Sequence, residues 1–126
     1  MNSFFFVTAM SFAQEGSPEN ASIENNRMAV VYQNRCSICH GTNGDGKGAT
    51  SIALKPKPTD FTDEAYWAEH SDNYVIQKIK QGSPENFMPS FPKIPEDQIL
   101  LLLQYLKKFP SVRQEEQENL PQEDEP

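Results

Sequence analysis

The chain of 126 residues carries a formal net charge of −7, from 11 basic and 18 acidic side chains. This length allows one domain of about 88 residues with a tail at each end. The acidic balance excludes the basic surface expected of a nucleic-acid-binding protein, and two cysteines with two histidines leave few ligands for a structural metal site.

The negative charge is concentrated at the two ends of the chain. Residues 111–126 contain six acids against Arg113, and residues 1–22 contain Glu15 and Glu19 without a basic residue. The stretch between them is neutral, so the charge gives no information about a partner of the domain. We predict four segments: a signal peptide at 1–13, an N-terminal linker at 14–22, a domain at 23–110 and an acidic disordered tail at 111–126.

The first predicted helix runs from Ser22 to Arg35. Met28, Val31 and Tyr32 recur at helical spacing, and Ser22 can cap the N terminus of the helix. We expect Met28 to pack in the core or at a helix interface.

This helix leads into the motif Cys36-Ser37-Ile38-Cys39-His40, which has the C-x-x-C-H spacing used to attach a c-type haem covalently. On a helical turn, residues i, i+3 and i+4 share one face, so both thiols and the imidazole can meet one flat ligand. We predict that Cys36 and Cys39 bond the vinyl groups of one haem c and that His40 coordinates its iron.

Other interpretations of the two cysteines remain open: a redox dithiol, a disulfide and half of a zinc site. A thioredoxin-like dithiol belongs to a βαβ unit, whereas no convincing strand pattern precedes Cys36. A zinc site with four ligands would require His70, which we otherwise interpret as an exposed or capping residue. The motif and the loop that follows it favour haem attachment.

A glycine-rich loop comes directly after the motif, with Gly41, Gly44, Gly46 and Gly48. Such a backbone turns with positive φ and can lie close against a flat or crowded surface. The loop lacks the Gly-Lys-Ser/Thr ending of a phosphate-binding loop. We therefore predict that it wraps the proximal side of the haem.

Two helical segments are predicted in the middle of the chain. Phe61, Tyr66 and Trp67 begin or flank a short helix, and the indole N–H of Trp67 is a candidate donor to a haem propionate. A second helix is predicted over 72–81 and ends at Gly82. It would present three apolar side chains inward: Val75, Ile76 and Ile79.

The segment from Gly82 to Pro92 is irregular, proline-rich and partly apolar, which suits a loop that covers one haem face. Met88 lies in this loop and is the best candidate for a sixth iron ligand, ahead of Met28 and His70. His/Met pairs are established haem ligands in cytochromes, so we predict that Met88 completes the coordination.

The last predicted helix covers an apolar run from Ile99 to Leu103 and continues to Phe109, with Pro95 in its first turn. The run is about half as long as the ~20 apolar residues that cross a bilayer. We predict that this helix packs across the first one, with Tyr32 and Tyr105 in the crossing.

Together these residues resemble the class I c-type cytochromes, small single-haem electron carriers. The matching segments cover nearly all of 23–110: Cys36 to Gly48, Lys55 to Phe61, Gly82, and Met88 to Phe91. The resemblance implies an all-α cytochrome c fold, in which three to four short helices wrap around one covalently bound haem, with His40 and Met88 as axial ligands. Many relatives have a proline after the last loop glycine, and its carbonyl accepts a hydrogen bond from the ligand histidine. Here Ala49 is expected to supply that carbonyl.

The resemblance also implies a function. A monohaem cytochrome of this kind transfers single electrons between redox protein partners and is not itself an enzyme. We expect a monomer that binds no nucleic acid and docks to a membrane-bound respiratory complex. The alternatives are a haem c subunit of a larger oxidase or dehydrogenase complex, and a haem-based enzyme or sensor with an open sixth site.

The predicted signal peptide agrees with this interpretation. Phe4 to Val7 would form its apolar core, and Ser11-Phe12-Ala13 its small-x-small exit, so that cleavage would leave Gln14 at the terminus. Haem attachment in the systems that the family implies takes place outside the cytoplasmic membrane. We therefore expect a periplasmic protein, with an uncleaved membrane tether as the alternative.

Overall fold

The computed structural model describes residues 16–119, so the predicted signal peptide at 1–13 and residues 120–126 lie outside the described part. Within 16–119 the chain forms α-helices and no β-strand. The helices are α1 (Pro18–Arg35), α2 (Ser37–His40), α3 (Glu64–Glu69), α4 (Asp72–Gln81), α5 (Glu96–Leu106) and α6 (Phe109–Glu118). The predicted all-α fold is confirmed. Helix α2 corresponds to the helical turn predicted over the cysteine motif, and α6 is in addition to the helices expected from the sequence.

Helix α1 begins about one turn earlier than the predicted start at Ser22. Pro18 occupies the first turn, where its fixed φ suits a helix and its missing N–H costs no hydrogen bond. Ser22 lies inside the helix, and its hydroxyl donates to the carbonyl of Glu19 at 3.0 Å instead of capping the end. The predicted linker at 14–22 is therefore helical from Pro18 onward.

The core lies where α1 and α5 pack together. Tyr32 and Ile99 are fully buried, and Met28 is buried beside them, as predicted. The rings of Tyr32 and Tyr105 are 5.7 Å apart, which confirms their predicted contact at the crossing. No helix within 16–119 is both long enough and apolar enough to span a bilayer.

Helices α3 and α4 follow their predictions closely. Asp63 caps α3, since its carboxylate accepts the N–H of Ala65 at 3.0 Å. Helix α4 has the predicted bounds, and Ser71 caps it by accepting the N–H of Tyr74 at 3.2 Å. Gly82 ends α4 with φ of +69°, a conformation that favours glycine.

Helix α6 corrects the prediction that the tail is disordered from residue 111. The helix extends to Glu118 and is anchored at its start by Phe109, which is buried against Tyr32 at a ring distance of 5.1 Å. Arg113 adds a hydrogen bond to Thr62 at 3.0 Å. The composition of the tail indicated solvation, but one buried aromatic ring and one guanidinium hold its first part on the domain.

Candidate haem-binding site

The cysteine motif lies at a break between two helices. Cys36 ends α1, with its N–H donating to the carbonyl of Tyr32 at 2.8 Å, and α2 then starts at Ser37. The N–H of His40 donates to the carbonyl of Cys36 at 2.9 Å, which closes one helical turn over the motif. The predicted helical turn is thus present, and Cys36, Cys39 and His40 all line one cavity.

That cavity has a volume of about 230 Å³ and brings together all four predicted site residues: Cys36, Cys39, His40 and Met88. Most of the other walls are apolar, and several come from α4, α5 and the loops between helices. They include Leu54, Val75, Ile79, Phe91 and Leu106. A largely apolar cavity lined by two cysteines, a histidine and a methionine fits a haem and its iron.

Met88 is held by its backbone in a tight turn after α4. Its N–H donates to the carbonyl of Ser83 at 3.1 Å, and its carbonyl accepts the N–H of Ser83 at 3.0 Å. Gly82 makes this turn possible, because a Cβ there would lie 2.6 Å from the carbonyl oxygen of Met88. The loop is thereby fixed to the end of α4, which forms another part of the same cavity wall.

The imidazole of His40 is oriented from behind by the segment 59–61. Its Nδ1 lies 3.1 Å from the carbonyl oxygen of Thr59, and its ring stacks on Phe61 at 4.7 Å. A carbonyl only accepts, so Nδ1 carries the proton and Nε2 keeps its lone pair for a metal. The sequence prediction of Ala49 as this acceptor is wrong, because the contact comes from a segment further along the chain.

Burial shifts the pKa values of His40 and Cys36. Desolvation lowers the pKa of His40, against the opposing hydrogen bond to Thr59, so the neutral imidazole is favoured. Desolvation also raises the pKa of Cys36 to about 11, with a smaller opposing effect of Arg35. Reactive dithiols have a depressed thiol pKa, so this value disfavours the redox-dithiol interpretation.

The glycine-rich loop lies against the cysteine motif. A Cβ at Gly48 would be 2.3 Å from the carbonyl oxygen of Ile38, and one at Gly46 would be 2.6 Å from that of Pro58. Gly46 also has a φ of +76°. These two positions let the loop fill the space between the motif and the segment that holds His40.

The remaining candidate residues lie elsewhere. His70 stacks on Tyr66 at 4.5 Å, with Nδ1 2.9 Å from the Tyr66 carbonyl oxygen, and does not line the cavity. A zinc site with four ligands would need His70 beside the motif, but His70 lies away from the cavity that Cys36, Cys39 and His40 line. Within 16–119, no three His, Cys, Asp or Glu side chains group to hold a metal. Trp67 was a candidate donor to a haem propionate, but its indole N–H donates to the carbonyl of Phe61 at 2.9 Å.

The charged residues that line the cavity are all basic: Arg35, Lys57 and Lys78. Lys57 donates to the carbonyl of Ser51 at 2.7 Å, which fixes its ammonium group near the Ser51–Ala53 turn. A basic lining is complementary to the two carboxylates of a haem. The sequence analysis missed these residues, since single lysines among prolines carry no local signal for a shared cavity.

The fold and the site define a c-type cytochrome domain, and comparison with known proteins agrees. Residues 24–106 match the family described as "Cytochrome C oxidase, cbb3-type, subunit III". The chain belongs to this family of c-type cytochrome domains, and its cofactor is haem c with iron. No curated protein matches the chain.

One solved structure is similar to the chain. It is a chain of the reducing HAO-like protein complex of Kuenenia stuttgartiensis, with 26% sequence identity and a TM-score of 0.55. The match covers 65% of this chain and 40% of that chain. This chain therefore corresponds to less than half of that protein.

Proposed function

We propose that the domain transfers single electrons through one haem c, attached by Cys36 and Cys39 and coordinated by His40 and Met88. The observation that carries this proposal is the single cavity lined by Cys36, Cys39, His40 and Met88. The haem supplies the one-electron chemistry, as iron alternates between its ferric and ferrous states. The chain supplies the attachment, the ligands and a water-poor surrounding.

The residues around the cavity favour electron transfer over catalysis. His40 and Met88 would occupy both axial positions, which leaves no open site for oxygen or peroxide. The imidazole of His40 is oriented by Thr59 and Phe61, and the backbone of Met88 is held by Ser83, which suits ligands that stay in place in both oxidation states. The neutral thioether of Met88 favours the ferrous form and raises the reduction potential.

Absorption spectra test the proposed ligands. A pyridine haemochrome spectrum of protein matured with a haem-attachment system should show haem c, and the oxidised protein should show the sulfur-to-iron charge-transfer band near the red edge. Met88→Leu should remove that band, whereas Met28→Leu, a change of a buried core methionine, should retain it. Colourless protein would contradict haem attachment. Rapid carbon monoxide binding by the reduced wild type would favour the enzyme or sensor alternative.

A second candidate function is that of a haem c subunit in a larger redox complex. Two findings support it: the family description names an oxidase subunit, and the similar solved chain comes from a protein complex. Size-exclusion chromatography and pull-down from native membranes and periplasm separate the two candidates. A monomer without stable partners supports the free carrier, and co-elution with an oxidase or dehydrogenase supports the subunit.

We also propose that the protein works in the periplasm, after cleavage behind Ala13. The support is the sequence of residues 1–13 together with the haem motif. Fractionation of cells and N-terminal sequencing test this, with Gln14 as the expected first residue. A haem-loaded protein that keeps Met1 in the membrane fraction would instead support the uncleaved tether.

A further inference from the structure

The segment 59–62 connects the imidazole of His40 with the C-terminal helix. On one side, the carbonyl oxygen of Thr59 lies 3.1 Å from Nδ1 of His40, and the ring of Phe61 stacks on the imidazole with an angle of 23°. On the other side, the same segment contacts α6. The segment 59–62 therefore lies between the imidazole of His40 and helix α6 and contacts both.

Helix α6 contacts this stretch through two side chains. Arg113 donates from Nη1 to the hydroxyl of Thr62 at 3.0 Å and lies 3.6 Å from a carboxylate oxygen of Asp60. Phe109 lies parallel to Phe61 at a ring distance of 6.4 Å and an angle of 17°. An aromatic stack thus runs from α6 through Phe61 to His40.

The turn between Thr59 and Thr62 is built around the carboxylate of Asp60. Its Oδ1 accepts the N–H of Thr62 at 2.8 Å and also the hydroxyl of Thr62, which leaves Oδ2 for Arg113. Thr62 is buried, so water has little access to the hydroxyl that joins the carboxylate to the guanidinium. Arg113 therefore connects to a closed turn, and the Thr59 carbonyl lies at the start of that turn.

We propose that α6 is a brace for the proximal ligand and that Arg113 is a positioning residue for His40, acting through Asp60, Thr62 and the Thr59 carbonyl. The inference rests on the proposed function, in which His40 is an axial ligand. A hydrogen bond from Nδ1 to a carbonyl makes the imidazole a stronger electron donor, which stabilises the ferric state. A weaker hydrogen bond raises the reduction potential.

The direction in which the midpoint potential changes distinguishes a positioning role of Arg113 from the direct electrostatic effect of its charge. Arg113→Ala removes a positive charge, and that loss alone stabilises the ferric state and lowers the potential. Loosening the Thr59 carbonyl acts in the opposite direction. Arg27→Ala is the matched control, because Arg27 is exposed on α1 and its replacement removes the same charge. Arg113→Lys keeps the charge near Asp60 without the planar guanidinium.

The experiment measures the midpoint potential by redox titration and the exchange of the His40 Nδ1 proton with solvent by NMR, both on the haem-loaded full chain. We expect Arg113→Ala to raise the potential relative to Arg27→Ala and to accelerate the exchange about two- to fivefold, as suits the loss of a half-exposed ion pair. Arg113→Lys should give intermediate values. If Arg113→Ala does not fold, the same comparison is made between Arg113→Lys and the wild type.

An equal fall of the potential in Arg113→Ala and Arg27→Ala, with unchanged proton exchange, would overturn the brace. The proposed function would still stand if those variants kept their haem and their sulfur-to-iron band. Loss of haem or of that band from the wild type would instead overturn the proposed function. The two failures are therefore separate observations.

Discussion

The hydroxyl of Tyr32 offers the sharpest test of the packing that carries the site. This side chain is fully buried between α1 and α5, and its hydroxyl donates to the carbonyl of Gly41 at 2.7 Å. The bond connects the core to the loop directly after the cysteine motif. Tyr32→Phe removes the bond and leaves the aromatic contacts with Tyr105 and Phe109 in place.

The hydrogen bonds of the Gly41 carbonyl set the loss of stability that we expect in Tyr32→Phe. A buried acceptor without any partner would cost about 1–3 kcal/mol, but the Gly41 carbonyl also accepts the N–H of Gly44 at 3.1 Å. It therefore keeps one hydrogen bond in Tyr32→Phe. We expect a loss of about 1 kcal/mol in the free energy of unfolding, which corresponds to about 4–8 °C in Tm for a domain of this size.

Denaturant unfolding of the haem-loaded protein measures this loss, with Tyr74→Phe as control. Tyr74 is 42% exposed, so the same chemical change there should alter the free energy of unfolding by less than about 0.5 kcal/mol. Equal effects of both substitutions would refute the assigned role of the Tyr32 hydroxyl. A loss in the free energy of unfolding well above about 3 kcal/mol would show that the aromatic contacts of Tyr32 also depend on its hydroxyl.

We also predict that the effect of Tyr32→Phe on the free energy of unfolding changes at alkaline pH. Burial, followed by the charges of Cys36, Tyr105 and Asp45, raises the pKa of Tyr32 above its ordinary value of 10.0. Above pH 10 the unfolded chain releases this proton while the folded chain keeps it, so the free energy of unfolding falls with rising pH. Tyr32→Phe lacks this contribution, and the stability difference from the wild type should shrink between pH 9 and pH 11. A constant difference would contradict the raised pKa.

Three further predictions concern the haem site. Met88→His should lower the midpoint potential in a redox titration, since a second imidazole stabilises the ferric state better than a thioether does, and an unchanged value would remove Met88 from the coordination. Gly48→Ala should destabilise the domain by about 1–3 kcal/mol in denaturant unfolding, because its Cβ would lie 2.3 Å from the carbonyl oxygen of Ile38; wild-type stability would contradict this contact. The double substitution Cys36→Ala and Cys39→Ala should abolish haem attachment and much of the far-UV circular dichroism of the helices, whereas a native-like spectrum would mean that the protein core is sufficient alone.

Local patterns were sufficient for the helices whose apolar side chains face the core. Helix α4 has the predicted bounds because its signals are adjacent in sequence: a capping serine, an inward row with Val75 and Ile79, and Gly82 at the end. The contact between Tyr32 and Tyr105 was also predictable, because two amphipathic helices in so short a domain have few other surfaces to cover. The C-x-x-C-H spacing is equally local, since one turn holds all three side chains.

The acceptor for His40 was not predictable from a local pattern. Ala49 is close to the motif in sequence, whereas Thr59 reaches the imidazole only after the chain has passed the Ser51–Ala53 turn and the prolines that follow it. Similarly, Ser22 carries a good capping side chain, but Pro18 and Glu19 start the helix earlier. For the acceptor of His40 and for the start of α1, more than one residue had a suitable local sequence. The tertiary structure determined which residue takes the role.

Helix α6 shows why composition misled at the end of the domain. Net charge averages over a segment, whereas attachment to a domain depends on individual contacts, and here Phe109 and Arg113 make them. Arg113 donates to Thr62, and Phe109 lies parallel to Phe61. Helix α6 therefore contacts the segment whose Thr59 carbonyl and Phe61 ring lie against His40. His40, the segment 59–62 and α6 thus form one connected series of contacts, although they come from three separate parts of the chain. The proposed brace predicts that a substitution of Arg113, which does not line the cavity, shifts the midpoint potential of the haem.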